Sequence, residues 1–183
     1  RIAARSIAVG ADTAAVTCIH APHPEEVGAD RIANAVAAEK LYGAPSIVVD
    51  FGTATNIDVV DSDGYYIGGA IAPGLRISMD ALVARAARIA SIPLETPPHA
   101  IGRTTEEAVQ SGAVLGTAAM VEGLVSRIQA ELGAPEARVI ATGGLASIVA
   151  DSTNVFDVVD GQLTLKGICE IARRMRDRVP RTA

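Results

Sequence analysis

The stretch Val-Val-Asp-Phe-Gly-Thr-Ala-Thr at residues 48–55 leads a wholly apolar run into a bend that carries a carboxylate and two hydroxyls. The β-branched residues before Asp50 are typical of a strand buried on both faces, and hence of a sheet that helices cover on both sides. At the bend, Gly52 allows backbone N–H groups to approach an oxyanion, and Asp50 can hold a cation. An ordinary β-turn whose aspartate caps backbone amides is an equally good interpretation of these residues alone.

Patterns on both sides of this stretch predict a mixed sheet with helices packed on it. The strand at 46–50 is followed by strands at 55–61 and 65–71, and the turn Ser62-Asp63-Gly64 between the latter two predicts a hairpin. The other predicted elements are strands at 6–9, 15–20, 137–142 and 154–158, and helices at 31–41, 75–90, 105–132, 145–150 and 163–176. From residue 46 the order is β-β-β-α-β-α-β-α, with a helical insertion after the third strand, and this alternation implies parallel crossovers.

Composition and charge argue against several classes of protein. With 183 residues the chain can form one substantial core and a remnant of a second domain. Its net charge of −5 argues against a partner that is nucleic acid or a membrane surface, and no apolar run of about 18 residues predicts a membrane span. Cys18 and Cys169 form no CxxC zinc motif, which fits a reducing cytoplasm, and Cys169 is expected in the core.

Two further segments carry candidate site residues. Ala-Thr-Gly-Gly-Leu at 141–145 joins a strand to a helix through a glycine ledge, which suits a nucleotide but is also a common tight connection. Glu-Val-Gly-Ala-Asp-Arg at 26–31 places Asp30 at a helix start, as an N-cap or as an acceptor for the proton of a substrate hydroxyl. Arg31 beside it can form a forked contact with a substrate carboxylate.

Six motifs, in order along the chain, resemble the type III pantothenate kinase family. They are Glu-Val-Gly-Ala-Asp-Arg-Ile-Ala-Asn-Ala-Val (26–36), Val-Val-Asp-Phe-Gly-Thr-Ala-Thr (48–55), Gly-Gly-Ala-Ile-Ala-Pro-Gly (68–74), Gln-Ser-Gly (110–112), Ala-Thr-Gly-Gly-Leu-Ala (141–146) and Leu-Thr-Leu-Lys-Gly (163–167). The resemblance implies the α/β fold of actin-like ATPases and acetate and sugar kinases (ribonuclease H-like). It also implies a cytoplasmic homodimer that phosphorylates pantothenate with ATP to 4'-phosphopantothenate, the first step of coenzyme A synthesis.

The resemblance also implies roles for individual residues. Asp30 resembles the family's proton acceptor for the pantothenate hydroxyl. Asp50 is similar to the ligand of a monovalent cation, K⁺ or NH4⁺, and Mg²⁺ is expected with the nucleotide. The implied contacts with pantothenate are Gly28, Ala29, Asp30, Arg31 and, from the neighbouring subunit, Thr105. Thr53 resembles an ATP contact, and the glycines of the two bends that suit a nucleotide are Gly52, Gly143 and Gly144.

One feature of the family does not occur in these 183 residues. Members open with an Asp-x-Gly-Asn-Thr phosphate loop on the first strand of an amino-terminal domain, and the sequence has no such motif. Residues 1–23 are therefore interpreted as a remnant of that domain and residues 24–183 as the carboxyl-terminal domain, and the activity of the chain by itself is left open. The alternative is a non-catalytic transcriptional activator or scaffold with the same fold. A superfamily kinase acting on a sugar or acetate is a third interpretation, disfavoured by the Gly-Ala-Asp-Arg run.

Overall fold

The computed structural model describes residues 8–10, 19–85 and 92–178. Most residues of the two strands predicted at 6–9 and 15–20 lie outside these ranges, as does most of the predicted 1–23 remnant. Within the described part, Ile19 forms a parallel β-bridge with Tyr66, and the His20 N–H donates to the Tyr66 carbonyl at 2.8 Å. This short segment therefore joins the edge of the main sheet.

From residue 46 the chain follows the predicted order of helices and strands. The helices are α1 (Ala29–Tyr42), α2 (Leu75–Arg85), α3 (Thr105–Gln110), α4 (Gly116–Leu132), α5 (Ala146–Ala150) and α6 (Leu163–Arg178), and the strands are β1 (Ser46–Phe51), β2 (Ala54–Val60), β3 (Tyr66–Pro73), β4 (Arg138–Thr142) and β5 (Val158–Val159). The order β-β-β-α-β-α-β-α is confirmed. The last strand, predicted at 154–158, is Val158–Val159, so the prediction overlaps it at one residue only. Residues 86–90 of the predicted helix 75–90 lie outside the described ranges.

The five strands of the described residues form one mixed sheet in the order β3-β2-β1-β4-β5. The pairs β1–β2 and β2–β3 are antiparallel, as the hairpin prediction requires, whereas β4 is parallel to both β1 and β5. A parallel neighbour needs a crossover connection, and the helices between β3 and β4 supply it. The carboxyl ends of β1 and β4 therefore open at the same edge of the sheet.

Side chains of β1 alternate between two helical layers. Val48 packs with Ala37 of α1 and Leu163 of α6 on one face. On the other face, Val49 packs with Val114, which lies between α3 and α4 in the second helical layer. Val48 and Val49 are both fully buried. Because helices cover both faces, the strand has no polar alternation, as its apolar sequence predicts.

Helices α1 and α6 pack closely because α6 presents a glycine to α1. A Cβ on Gly167 would collide with the Ala33 backbone, so a larger residue would push the helices apart. Leu163 and Ile171, four residues to either side of Gly167, are fully buried on the same face of α6. Cys169 is exposed, so the expectation that it lies in the core is wrong: the helical repeat turns position 169 away from this face.

A long helical segment between β3 and β4 consists of α3, a π-helical turn and α4. Helices α3 and α4 join through a π-helical turn at Ser111–Leu115, which contains Gly112. The start of α3 is capped, since Thr104 Oγ1 accepts a hydrogen bond from the Glu107 N–H at 3.1 Å. Glu107 in turn accepts one from the Arg103 N–H at 2.7 Å, a variant of the capping box.

The combined segment Thr105–Leu132 is the one helix in the described residues that is long and apolar enough to cross a membrane by length and composition. Core helices of globular proteins meet the same criterion. Here Val121 and Val125 are buried in the core cluster on the second face of the sheet. The segment therefore contributes one apolar side to the packing of the domain.

Candidate active site

The carboxyl ends of β1 and β4 bring two of the predicted motifs together. Asp50 pairs with Thr142 in the parallel register, and the next residue, Gly143, packs against the end of β1. Gly143 has a φ of 93°, and a Cβ there would lie 2.5 Å from Asp50 Oδ1 and 2.7 Å from Phe51 N. Only glycine fits this position, so the bend after β1 and the glycine ledge after β4 form one continuous edge.

One backbone N–H of the bend after β1 forms a hydrogen bond within the bend itself. The Gly52 N–H donates to the Ala54 carbonyl at 3.0 Å and is therefore already paired. Gly74 packs against the back of the bend, where a Cβ would lie 2.7 Å from the carbonyl carbon of Thr53. Thr53 and Gly144 are exposed, and a Cβ on Gly144 would meet no atom within 4 Å. Thr53 and the open backbone at Gly144 are thus exposed parts of this edge.

One carboxylate oxygen of Asp50 accepts a hydrogen bond from the described residues, and the other accepts none from them. Its Oδ2 accepts a hydrogen bond from Asn34 Nδ2 of α1 at 2.9 Å, and Oδ1 accepts none from the residues that the structure describes. Burial raises the pKa of Asp50; the Asn34 hydrogen bond opposes this shift, and the charge of Asp30 adds to it. A cation at Oδ1 would offset both burial and repulsion, and carboxylate oxygens suit hard cations. The residues present therefore fit the expected monovalent cation.

Asp30 lies in the first turn of α1 and acts on the same edge through its charge. The N-cap of α1 is Gly28, so the interpretation of Asp30 as the N-cap is wrong. Its carboxylate turns back over Gly28, where a Cβ would lie 2.6 Å from Asp30 Oδ1. Ala29 and Asp30 are both exposed, and the Asp30 carboxylate forms no hydrogen bond with the described part of the chain. Burial is the main cause that raises the pKa of both Asp50 and Asp58, and the charge of Asp30 adds to the rise. Three carboxylates therefore share this region.

Arg31 is held by an aspartate in the middle of β2. Its Nε donates to Asp58 Oδ1 at 2.7 Å, and the Asp58 side chain is fully buried while that of Arg31 is 15% exposed. The guanidinium also lies 5.6 Å from the centre of the Tyr66 ring, a distance suited to a cation–π contact. Burial raises the pKa of Asp58 to about 6 against the opposing charge of Arg31. The terminal nitrogens of Arg31 form no hydrogen bond within the described residues and can contact a ligand carboxylate.

Sequence comparison decides which family these motifs belong to. A model of the family described as type III pantothenate kinase matches residues 3–127, more than half of the chain. The chain belongs to this family. The type III pantothenate kinase of Thermomicrobium roseum is 56% identical over 157 residues, which are 86% of this chain and 60% of that protein. Proteins of the same name from Paramagnetospirillum magneticum and Moorella thermoacetica are 52% and 51% identical, over 82% and 80% of this chain and 58% and 57% of their own lengths.

This member of the pantothenate kinase family spans 60% or less of the length of these relatives. Among solved structures, a protein assigned to the Baf family of transcriptional activators from Campylobacter jejuni matches with a TM-score of 0.60 and 21% identity, over 84% of this chain and 67% of that one. At this identity the likeness shows a shared fold alone, so the non-catalytic interpretation gains no support from it. Family membership, together with the mixed sheet, confirms the expected actin-like fold class.

Thr105 is placed apart from the other candidate residues of this pantothenate kinase family member. It begins α3, in the layer that covers the opposite face of the sheet from α1. There it is exposed and lines a groove of about 470 Å³ together with Met79, Leu82 and Val109. The family resemblance assigns Thr105 to the site of a neighbouring subunit, a role that requires such an outward position.

The sequence patterns assigned no role to Asn34, Asp58 or Thr164. Asn34 follows Asp30 by four residues, and this spacing indicates a shared helix face. Asp58 is the one charged residue in the run Ile57–Val60, and an acid in a buried strand indicates a partner nearby. Thr164 belongs to the family motif at 163–167. Each signal was present in the sequence, but the partner of each residue became known only from the fold.

Asp58→Asn is expected to remove a pH dependence of stability that the wild type carries. The pKa of Asp58 is raised to about 6 in the folded protein, from about 3.9 in an unfolded chain. Between these values the folded state binds more protons, so the stabilising contribution is complete below about pH 4 and is lost as the pH rises through about 6. The wild-type minus variant difference in unfolding free energy should therefore fall by about 1–3 kcal/mol between about pH 4 and about pH 7 in urea titrations. A difference that rises with pH would mean that the Arg31 ion pair outweighs burial.

Proposed function

We propose that the protein encoded by the complete reading frame transfers the γ-phosphoryl group of ATP to pantothenate in the cytoplasm, the first step of coenzyme A biosynthesis. The observation that carries this proposal is the position of Asp30 in a chain of this family. It is an exposed carboxylate in the first turn of α1, close enough to Asp50 for its charge to raise the pKa of that group. Phosphoryl transfer needs a proton acceptor, neutralised phosphates and orienting donors more than covalent chemistry by the protein.

Each described group has one task in the proposed reaction. The oxygen of the pantothenate hydroxyl attacks the γ-phosphorus, its proton passes to Asp30, and the bond from this phosphorus to the β–γ bridging oxygen breaks, which releases ADP. Arg31, held by Asp58, binds the pantothenate carboxylate through its terminal nitrogens. The remaining proposed contacts are Gly28 and Ala29 with pantothenate, and Gly52, Thr53, Gly143 and Gly144 with ATP.

Cations complete the proposed site. K⁺ or NH4⁺ at Asp50, and Mg²⁺ with the nucleotide, neutralise phosphate charge when bound. Asp50 contributes Oδ1, which lies beside Gly143 at the edge that the nucleotide follows. The chain's own part is thus to leave Oδ1 of Asp50 without a hydrogen bond from the described residues and to hold Oδ2 through Asn34.

Pantothenate-dependent release of ADP by the protein from the complete reading frame tests the proposed function. Turnover should require pantothenate and should increase with K⁺ or NH4⁺. Sugars and acetate serve as matched acceptors in the same assay. Turnover with one of these acceptors but not with pantothenate would favour another kinase of the superfamily, and no turnover with any acceptor would favour a non-catalytic relative.

We also infer that the active form is a homodimer in which each site includes Thr105 of the partner subunit. The groove beside Thr105 is lined by the apolar side chains of Met79, Leu82 and Val109, and Leu82 is 48% exposed. Covering such a groove with a second copy removes apolar surface from water, which is favourable. A second copy seated there would also bring each Thr105 to the other chain.

Mixing two variants tests the shared site. Asp30→Asn and Thr105→Val homodimers should each be impaired, whereas a mixed dimer contains one site with both native residues. After random exchange of subunits, the mixture should recover about a quarter of wild-type activity, because half of the dimers carry one intact site of two. No recovery, with exchange verified by differently tagged subunits, would place Thr105 outside the partner's site.

A further inference from the structure

We propose that Asn34 and Thr164 are positioning residues for the monovalent cation, because together they fix which oxygen of Asp50 is left to bind it. The inference rests on the cation site of the proposed function and adds helix α6 to that site. It also gives a role to the family motif at 163–167, which the reaction itself does not use.

The hydrogen bonds between these residues can run in only one direction. The Asp50 carboxylate only accepts, so the Asn34 amide must present its NH2 group to Oδ2, at 2.9 Å. The Asn34 carbonyl oxygen therefore faces α6 and needs a donor, which Thr164 Oγ1 supplies at 2.7 Å. Asn34 is 1% exposed, so removing the Thr164 hydroxyl leaves a buried acceptor without a partner, at a cost in free energy.

A fixed Asn34 amide orients the Asp50 carboxylate. With Oδ2 held, Oδ1 lies beside two glycines, 3.7 Å from a Cβ on Gly52 and 2.5 Å from a Cβ on Gly143. Because both positions are glycines, neither residue places a side chain against Oδ1.

Gly167 explains why α6 can reach this site. Its Cα faces the Ala33 backbone so closely that a Cβ would overlap it, and this contact sets the separation of α1 and α6. On α6, Thr164 lies one turn before Gly167. On α1, Asn34 is the residue after Ala33, and it lies opposite Thr164. The close approach of the two backbones therefore brings the Thr164 hydroxyl within hydrogen-bond distance of the Asn34 amide.

Thr164→Val separates a positioning role from a structural one, because it keeps the shape of the side chain and removes the donor. The readout is the unfolding temperature of the complete protein, titrated with K⁺ in place of choline at constant ionic strength, since a ligand of the folded state raises this temperature. We expect the half-saturating K⁺ concentration to rise about 3- to 10-fold in the variant and to return towards the wild-type value in Thr164→Ser.

Thr117→Val is the matched control. It removes a hydrogen bond of 2.6 Å from the Thr117 hydroxyl to the Ala113 carbonyl, in the layer on the other face of the sheet. It should leave the half-saturating K⁺ concentration unchanged. If Thr164→Val does not fold, Thr164→Ala is titrated in the same way, with the same expected direction.

Two outcomes overturn the proposal. One is an unfolding temperature that Thr164→Val lowers equally at every K⁺ concentration, which indicates a structural role alone. The other is a wild-type unfolding temperature that does not respond to K⁺, which means that Asp50 holds no such ion. Pantothenate-dependent ADP release is measured separately, so a protein that releases ADP but fails a cation test still supports the proposed phosphoryl transfer. The first outcome then contradicts only this inference, whereas the second also contradicts the cation assigned to Asp50.

Discussion

The Asp30→Asn variant is expected to lose at least about 100-fold in kcat, because an amide cannot accept the proton of the pantothenate hydroxyl and a positioned base contributes at least that much. Little stability should be lost with it. Asp30 is exposed, its carboxylate forms no hydrogen bond within the described residues, and its charge is one of the causes that raise the pKa of Asp50 and Asp58. The unfolding free energy is therefore expected to change by less than about 0.5 kcal/mol. Steady-state kinetics and urea titration of the same preparation measure both quantities.

Asp63→Asn is the matched control for this variant. Asp63 is an exposed aspartate in the turn between β2 and β3, so its substitution changes the net charge by the same amount outside the site. The control should retain wild-type kcat. If Asp30→Asn also retained wild-type kcat, Asp30 would be removed from the role of proton acceptor. A loss of folded protein that parallels the loss of activity would instead assign it a structural role.

Gly143→Ala is expected to be the most destabilising of these substitutions. The backbone has a φ of 93°, where a side chain is strained, and the added Cβ would lie 2.7 Å from the Phe51 backbone and 2.5 Å from Asp50 Oδ1. Left-handed strain and overlap with a backbone that cannot yield cost about 2–4 kcal/mol together. Differential scanning calorimetry should show a Tm lower by about 5–15 °C for a domain of this size. Displacement of the Asp50 carboxylate should also weaken the response of the protein to K⁺.

Gly144→Ala provides a neighbouring control for the same motif. An added Cβ there meets nothing within 4 Å, and the residue has no positive φ. Its Tm should therefore stay close to that of the wild type, with a change in unfolding free energy of about 0.5 kcal/mol or less. Equal destabilisation by the two substitutions would contradict the assignment of strain and close contact to Gly143 alone.

Local patterns predicted most of the domain's secondary structure. The apolar run before Asp50, the hairpin turn at 62–64 and the glycine pair after β4 each depend on neighbouring residues only, and the structure has the expected element at each. Errors occurred where a boundary or an orientation depended on more than its neighbours. The helix at 31–41 was predicted to begin with Asp30 as its cap, but it starts earlier, after Gly28. Cys169 was placed in the core because its surroundings are apolar, yet it is exposed.

Contacts between distant parts of the chain could not be predicted from such patterns. Asn34 is separated from Asp50 by 16 residues and from Thr164 by 130, and Arg31 is separated from Asp58 by 27. No local preference specifies which of several acids an asparagine or an arginine will bind. These pairings follow from the sheet order and from the face on which α1 and α6 pack.

The sequence by itself determined the family, the order of the elements and the identity of Asp30 and Asp50 as candidate site residues, because motifs and hydrophobic periodicity are local properties of the chain. Only the tertiary structure decided that Oδ2 of Asp50 is held through α1 and α6, that Arg31 is bound to a buried aspartate, and that Gly143 closes against β1. The physical reason is that hydrogen bonds and steric contacts act over a few ångströms in space. Which residues come within that distance is decided by the packing of two helical layers on one sheet.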